Sequence, residues 1–175
     1  MSYLVLDVEA DGPIPHDYSM VSFGAVLLTT DLDKTFYGQT RPISDKWIPE
    51  ALAVSHSTRQ EHEGYEDPAV VMESFRQWIA ASSTGRPIFI SDNPAFDWQW
   101  INWYFHHFLG ANPFGFSARR IGDLYCGMKL NCKLNGEWKR KLHKTKNDHN
   151  PVNDAMGNAE ALLSMKEMGL IIPTN

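Results

Sequence analysis

The chain opens on YLVLDV (3–8), a short run of aliphatic and β-branched residues, and such a run predicts a buried β-strand. MVSFGAVLLTT (20–30) and TFYGQTRPI (35–43) predict two more strands, separated by the turn-like DLDK. Together they predict an antiparallel meander. The period then changes. In DPAVVMESFRQWIAAS (67–82), apolar side chains fall at 71, 72, 75, 78 and 79, a helical spacing, with Asp67 placed to cap and Pro68 at the first helical position. RPIFIS (86–91) predicts a fourth, buried strand. PAFDWQWINWYFHHFL (94–109) is apolar nearly all round, the pattern of a helix covered on several sides. IGDLYCGMKL (121–130) predicts a short helix and 131–149 a polar, Lys-rich loop. PVNDAMGNAEALLSMKEMG (151–169) predicts a last helix, stopped by Gly169 and then Pro173. The sum is an α/β fold, a central mixed sheet flanked by helices, in a single domain over 1–175 with no composition break.

Composition narrows the class. Hydrophobic residues make up 43% of 175, enough for a sizeable core. The first residues, MSYLVLDVEA, lack a basic leader and are cut by Asp7, so no signal peptide is expected. The apolar runs are too short for a membrane span, and two cysteines, Cys126 and Cys132, fit reduced thiols in a cytoplasmic protein. The net charge of −5 is unevenly spread: residues 119–149 carry nine Lys/Arg against three acids, a local +6 on a body of −11. A basic segment of that kind is either a solvated loop or a phosphate-attracting surface.

Asp7 and Glu9 in LVLDVEADG are two apart on a predicted strand, so both leave the same face. Adjacent carboxylates repel and resist burial; a hard divalent cation resolves both problems. Asn-Pro-x-x-Asp occurs twice, as NPAFD (93–97) and NPVND (150–154). Asn suits an N-cap, Pro the first helical position, and Asp then falls near the end of the first turn. Each copy alone is ordinary helix-starting grammar. C-x₅-C-x₁₀-H-x₅-H, formed by Cys126, Cys132, His143 and His149, is out of register for a zinc finger.

The ordered set of Asp7 and Glu9 in DVEADG, Asp97 in NPAFD, and His149 and Asp154 in HNPVND resembles the DEDDh family of 3′–5′ exonucleases. The likeness runs from residue 4 to about 165. It implies a ribonuclease H-like fold and metal-dependent removal of nucleoside 5′-monophosphates from the 3′ ends of single-stranded RNA or DNA, short oligonucleotides included, RNA first. It further implies two Mg²⁺ ions, with Mn²⁺ as the substitute, held by Asp7, Glu9, Asp97 and Asp154, with His149 as general base. Ala10, Asp11 and Gly12 stand where many members have Thr-Thr-Gly and meet the terminal nucleotide through their backbone. His56 and Phe96 match positions that approach base or sugar. Asn93 completes the substrate contacts, and the basic segment adds Arg119, Arg120 and the lysines from Lys139 to Lys146 as phosphate candidates, Lys146 first because it is three residues from His149. Small members of the family often pair, so the resemblance also implies a homodimer. The alternatives are a DNA-specific exonuclease and a non-catalytic nucleic-acid-binding module on the same fold.

Overall fold

A computed structural model describes residues 1–174. The strands are β1 (Ser2–Ala10), β2 (Met20–Leu27), β3 (Thr35–Gln39), β4 (Pro87–Ser91) and β5 (Ala118–Arg120). They form one sheet in the order β3-β2-β1-β4-β5. β1, β2 and β3 pair antiparallel as the meander predicts, whereas β4 joins β1, and β5 joins β4, in parallel. The helices are α1 (Pro49–Val54), α2 (Arg59–Glu63), α3 (Pro68–Ser82), α4 (Pro94–Leu109), α5 (Ile121–Lys129), α6 (Glu137–Leu142) and α7 (Pro151–Glu167). The expected mixed sheet flanked by helices is present. Among the described residues, no helix is long and apolar enough to cross a membrane.

β1 is the central strand, and its two-residue alternation sorts the molecule into two cores. Leu4, Leu6 and Val8 pack with Phe75 of α3 and Trp100, Tyr104 and Phe105 of α4. Tyr3 and Val5 face the other way, onto Ala155, Ala159 and Leu162 of α7 and Trp138 of α6. Asp7 and Glu9 continue this second row. They are the positions at which an apolar face turns acidic, at the end of β1 nearest the start of α7.

The hydrophobic pattern overran the second and third meander strands. β2 stops at Leu27 and β3 at Gln39. It also missed α1, α2 and β5, which are too short to show a period. Residues 131–149 are not simply a loop: a 3₁₀ turn spans Cys132–Leu134 and α6 follows. Trp138 is the reason. It is fully buried in the second core and packs against the His143 ring at 5.3 Å. Its neighbours Glu137, Lys139, Arg140 and Lys141 are all charged, so two apolar residues in six, Trp138 and Leu142, left no amphipathic signal.

Candidate active site

The second row of β1 delivers Asp7 and Glu9, and a register shift between Glu9 and Ala10 ends the regular ladder just after them. Such bulges twist a strand and re-aim its side chains. Asp97 sits at the fourth position of α4, where Phe96 and Asp97 donate their N–H groups to the Asn93 carbonyl at 2.9 and 3.0 Å. Asp154 occupies the matching place in α7 and donates to the Asn150 carbonyl at 2.9 Å. The two Asn-Pro-x-x-Asp copies differ in one respect. The Asn150 side chain accepts from Val152 and Asn153, while Asn93 makes no side-chain cap and stands exposed.

What brings α7 against β1 is a glycine the sequence reading passed over. Gly24 lies opposite Asp7 in the β1–β2 ladder. A Cβ there would sit 2.4 Å from the Pro151 carbonyl carbon and oxygen and from the Val152 nitrogen. Only the missing side chain lets the first turn of α7 reach the sheet and carry Asp154 to the other acids.

The cost of this convergence appears in the acids themselves. Asp97 and Asp154 are 4% and 3% exposed. Burial first, then the charges of Asp97, Asp154 and Glu9, push the Asp7 carboxyl well above the usual range. Burial, Asp154 and Asp97 raise Glu9 to about 8. Burial raises Asp97 to about 7, with the Ser91 hydroxyl and Val8 N–H pulling it partway back. Asp154 is raised as well, chiefly by burial. Four carboxyls that cannot all ionise together are a set awaiting positive charge. Glu9, Asp154 and His149 offer ligand atoms within 4.8 Å of one another, and the oxygen-rich donor set suits a hard divalent cation.

His149 projects from the loop before α7, with Nδ1 3.5 Å from Glu9 Oε1 and the side chain about half exposed. Its backbone is left-handed (φ 60°), an unfavourable region for a residue with a Cβ. Neighbours hold it there. The Asp148 N–H donates to Asp154 Oδ1 at 3.1 Å, and the Asp148 carboxylate takes the Asn150 N–H and the Asn153 amide. Upstream, Glu160 of α7 accepts from Lys144 N, Thr145 N and Thr145 Oγ1, while His143 Nε2 meets Asn158 Oδ1 at 2.9 Å. Gly157 leaves room for the His143 ring, 2.7 Å from where a Cβ would be. None of these residues was legible as part of the site, because each acts through a contact made across the fold.

The expected substrate contacts divide. Ala10, Gly12 and Phe96 do line a cleft of about 360 Å³ beside Glu9, closed on the far side by Ile48, Ala51 and Val54. Gly12 is also forced by packing, since a Cβ would enter the Tyr18 ring. Asp11 is not brought to the cleft. Its N–H donates to the Ser19 carbonyl and its carbonyl accepts from Ile48 N, so the backbone is already engaged. Its carboxylate is fully buried, taking Ser19 N at 2.6 Å and Arg59 Nη1 at 3.3 Å, with buried His62 beside it. Asp11 therefore ties the end of β1 to the wall formed by α1 and α2.

His56 stands next to His149, ring centroids 6.5 Å apart, and its Nε2 meets the Asp148 carbonyl at 3.0 Å. Lys146 is exposed near Asp148. Lys139 reaches further in: its ammonium pairs with Asp92 Oδ2 at 2.5 Å and lowers the Asp7 and Asp154 carboxyls. Arg119 and Arg120 are spent on structure, donating to the Tyr3 hydroxyl and the Asp92 carbonyl.

The geometry can be set beside known proteins. The family model of the 3′-5′ exoribonuclease Rv2179c-like domain matches residues 2–165. The 3′-5′ DNA exonuclease Cap18 of Escherichia coli is 35% identical over 170 residues, covering 90% of this chain and 88% of that one. Among solved structures, cell-death related nuclease 4 superposes with a TM-score of 0.77 at 16% identity, covering 96% of this chain and 64% of that longer one. A full-length 3′-exonuclease superposes with a TM-score of 0.75 at 16% identity, covering 96% and 82%. The structural likenesses show the ribonuclease H-like fold.

Proposed function

The chain belongs to the 3′-5′ exoribonuclease Rv2179c-like domain family and is a 3′–5′ exonuclease, and from that premise we propose that it is a metal-dependent enzyme of the DEDDh type. On this reading it trims single-stranded RNA from the 3′ end to nucleoside 5′-monophosphates. The observation that carries the reading is the convergence of Asp7, Glu9, Asp97 and Asp154, their charge unbalanced, beside His149.

Asp7, Glu9, Asp97 and Asp154 would hold two Mg²⁺ ions, which when bound supply activation of water and neutralise charge at the phosphate. His149 takes the proton of the attacking water, its ring held by Glu9 on one side and its backbone by Asp148. Its exposed position lets it pass that proton to solvent. The terminal base enters the cleft between Phe96 and the Ile48–Ala51–Val54 wall, where apolar surface accepts any base face. Ala10 and Gly12 allow close approach of the sugar. Lys139 and Lys146 flank the site as phosphate contacts, and Asn93 is free to meet the strand.

RNA as substrate is supported by the family's description, and DNA by the 35% identical relative, a DNA exonuclease. The test is a side-by-side digestion of matched RNA and DNA strands, labelled at either end, with Mg²⁺ and with chelator. Stepwise loss from the 3′ end, abolished by chelator and by Asp7→Ala, is expected, faster on RNA. Faster DNA digestion favours the second reading. Binding without shortening overturns both.

A further inference from the structure

One surface feature near the cleft is unused by the chemistry above. The cleft residue Phe96 is followed along α4 by Gln99, Trp103 and His107, at intervals of three and four that place all of them on one helix face. The His107 ring lies flat on the Trp103 indole, centroids 4.2 Å apart with 12° between planes. His16 meets the same indole edge-on at 6.3 Å. It is carried by the loop between β1 and β2, with a left-handed backbone (φ 77°). That loop also supplies Pro13 to the cleft, and Gln99 donates to the Pro13 carbonyl at 3.0 Å, joining cleft and face.

His16 and His107 are both exposed and Trp103 is half-buried. Core packing explains the inner edge of Trp103, which touches Tyr104 and Phe108. It does not explain two solvent-facing imidazoles gathered on that indole. The stack begins about 10 Å along the helix axis from Phe96, at 1.5 Å per residue. A strand whose last base fills the cleft must leave it somewhere, and this face is continuous with the cleft lining. The local charge is balanced: Asp17 lies 3.6 Å from His16 and pairs with Lys46. Stacking rather than phosphate attraction is therefore what the face offers.

We propose that His16, Trp103 and His107 form a stacking platform for the nucleotides upstream of the terminal one in the single-stranded substrate. The proposal rests on the exonuclease reading of the neighbouring cleft. It makes affinity depend on strand length, and on sequence only weakly, since every base has a face to stack.

The test is a length series from two to about ten nucleotides, with KM and kcat measured for each. Exposed His107→Ala should raise KM for the longest strand about fivefold or more, the effect of losing one stacked base. It should leave the dinucleotide and kcat unchanged. His107→Phe should restore the long-strand KM. Trp103→Leu, which keeps apolar bulk, should act like His107→Ala, and a thermal melt shows that it is folded. Equal KM for wild type and both variants on the longest strand overturns the proposal. So does an equal loss on the dinucleotide, which makes these residues supports of the cleft. If the wild type shortens no strand at all, it is the catalytic reading that has failed.

Discussion

Gly24→Ala is a substitution that touches neither substrate nor acid, yet it should disable the site. The new Cβ would stand 2.4 Å from three backbone atoms of Pro151 and Val152. Carbon contacts settle at about 3.5–4.0 Å, so the first turn of α7 must retreat by about 1 Å. Backbone of a capped helix cannot swing aside as a side chain can, so the helix moves as a unit. Asp154 and His149 move with it, away from Asp7 and Glu9 on the sheet. A misplacement of about 1 Å in a catalytic constellation can cost about 100-fold in rate. Overpacking should also cost about 1–3 kcal/mol, roughly 2–12 °C in Tm for a chain of this size. Gly38→Ala is the control. Its Cβ would press on the Phe23 ring and Val71, side chains of the core away from the acids, and should cost stability alone. The assay is single-turnover digestion of a labelled strand with Mg²⁺ in excess, beside thermal melts of both variants. If Gly24→Ala melts lower but keeps kcat within about twofold of wild type, the close approach does not set the ligand geometry.

His149→Ala should cut kcat by about 100-fold or more while Mn²⁺ binding by calorimetry stays near wild type; equal activity across pH 6–9 would remove the base role. For the metal-free protein, the acids bind protons more tightly folded than unfolded. Stability should therefore fall as pH rises from the ordinary 4.5 of a glutamate through the Glu9 value of about 8. Added Mg²⁺ should raise Tm, and more so at high pH than low, as read by thermal melts; a pH-independent shift would contradict the charge argument. Glu160→Gln loses the charge on three loop hydrogen bonds, each to a charged acceptor worth about 1.5–3 kcal/mol. It should speed hydrogen exchange over residues 143–149 and lower kcat, with KM on a dinucleotide little changed. An unaltered exchange rate would show that the loop is held elsewhere.

Much of this site was written locally. Asp7 and Glu9 share a face because strands alternate, and Asp97 and Asp154 end first turns because Asn-Pro starts helices; neither fact needs the rest of the chain. The longer elements were equally plain, since a short apolar run such as PIFI or a sixteen-residue helix is its own evidence. Short elements were not. α6 depends on one buried tryptophan, and β5 on a parallel edge beside β4, neither of which leaves a period in the sequence. The two Asn-Pro-x-x-Asp copies looked alike and are not: only Asn150 caps with its side chain.

Sequence alone determined which groups could carry the chemistry, because residue type and spacing decide donor class and local direction. Tertiary structure decided which of them meet. It placed Asp154 by leaving Gly24 bare, turned the Asp11 carboxylate inward to Arg59, and drew Lys139 rather than Lys146 toward the acids. It also posed His149 through Asp148, Asn158 and Glu160. The reason is physical. Local sequence sets the direction in which a side chain leaves its own element, whereas burial and charge at the site come from β1, α4 and α7 together, and only packing determines how closely those three approach.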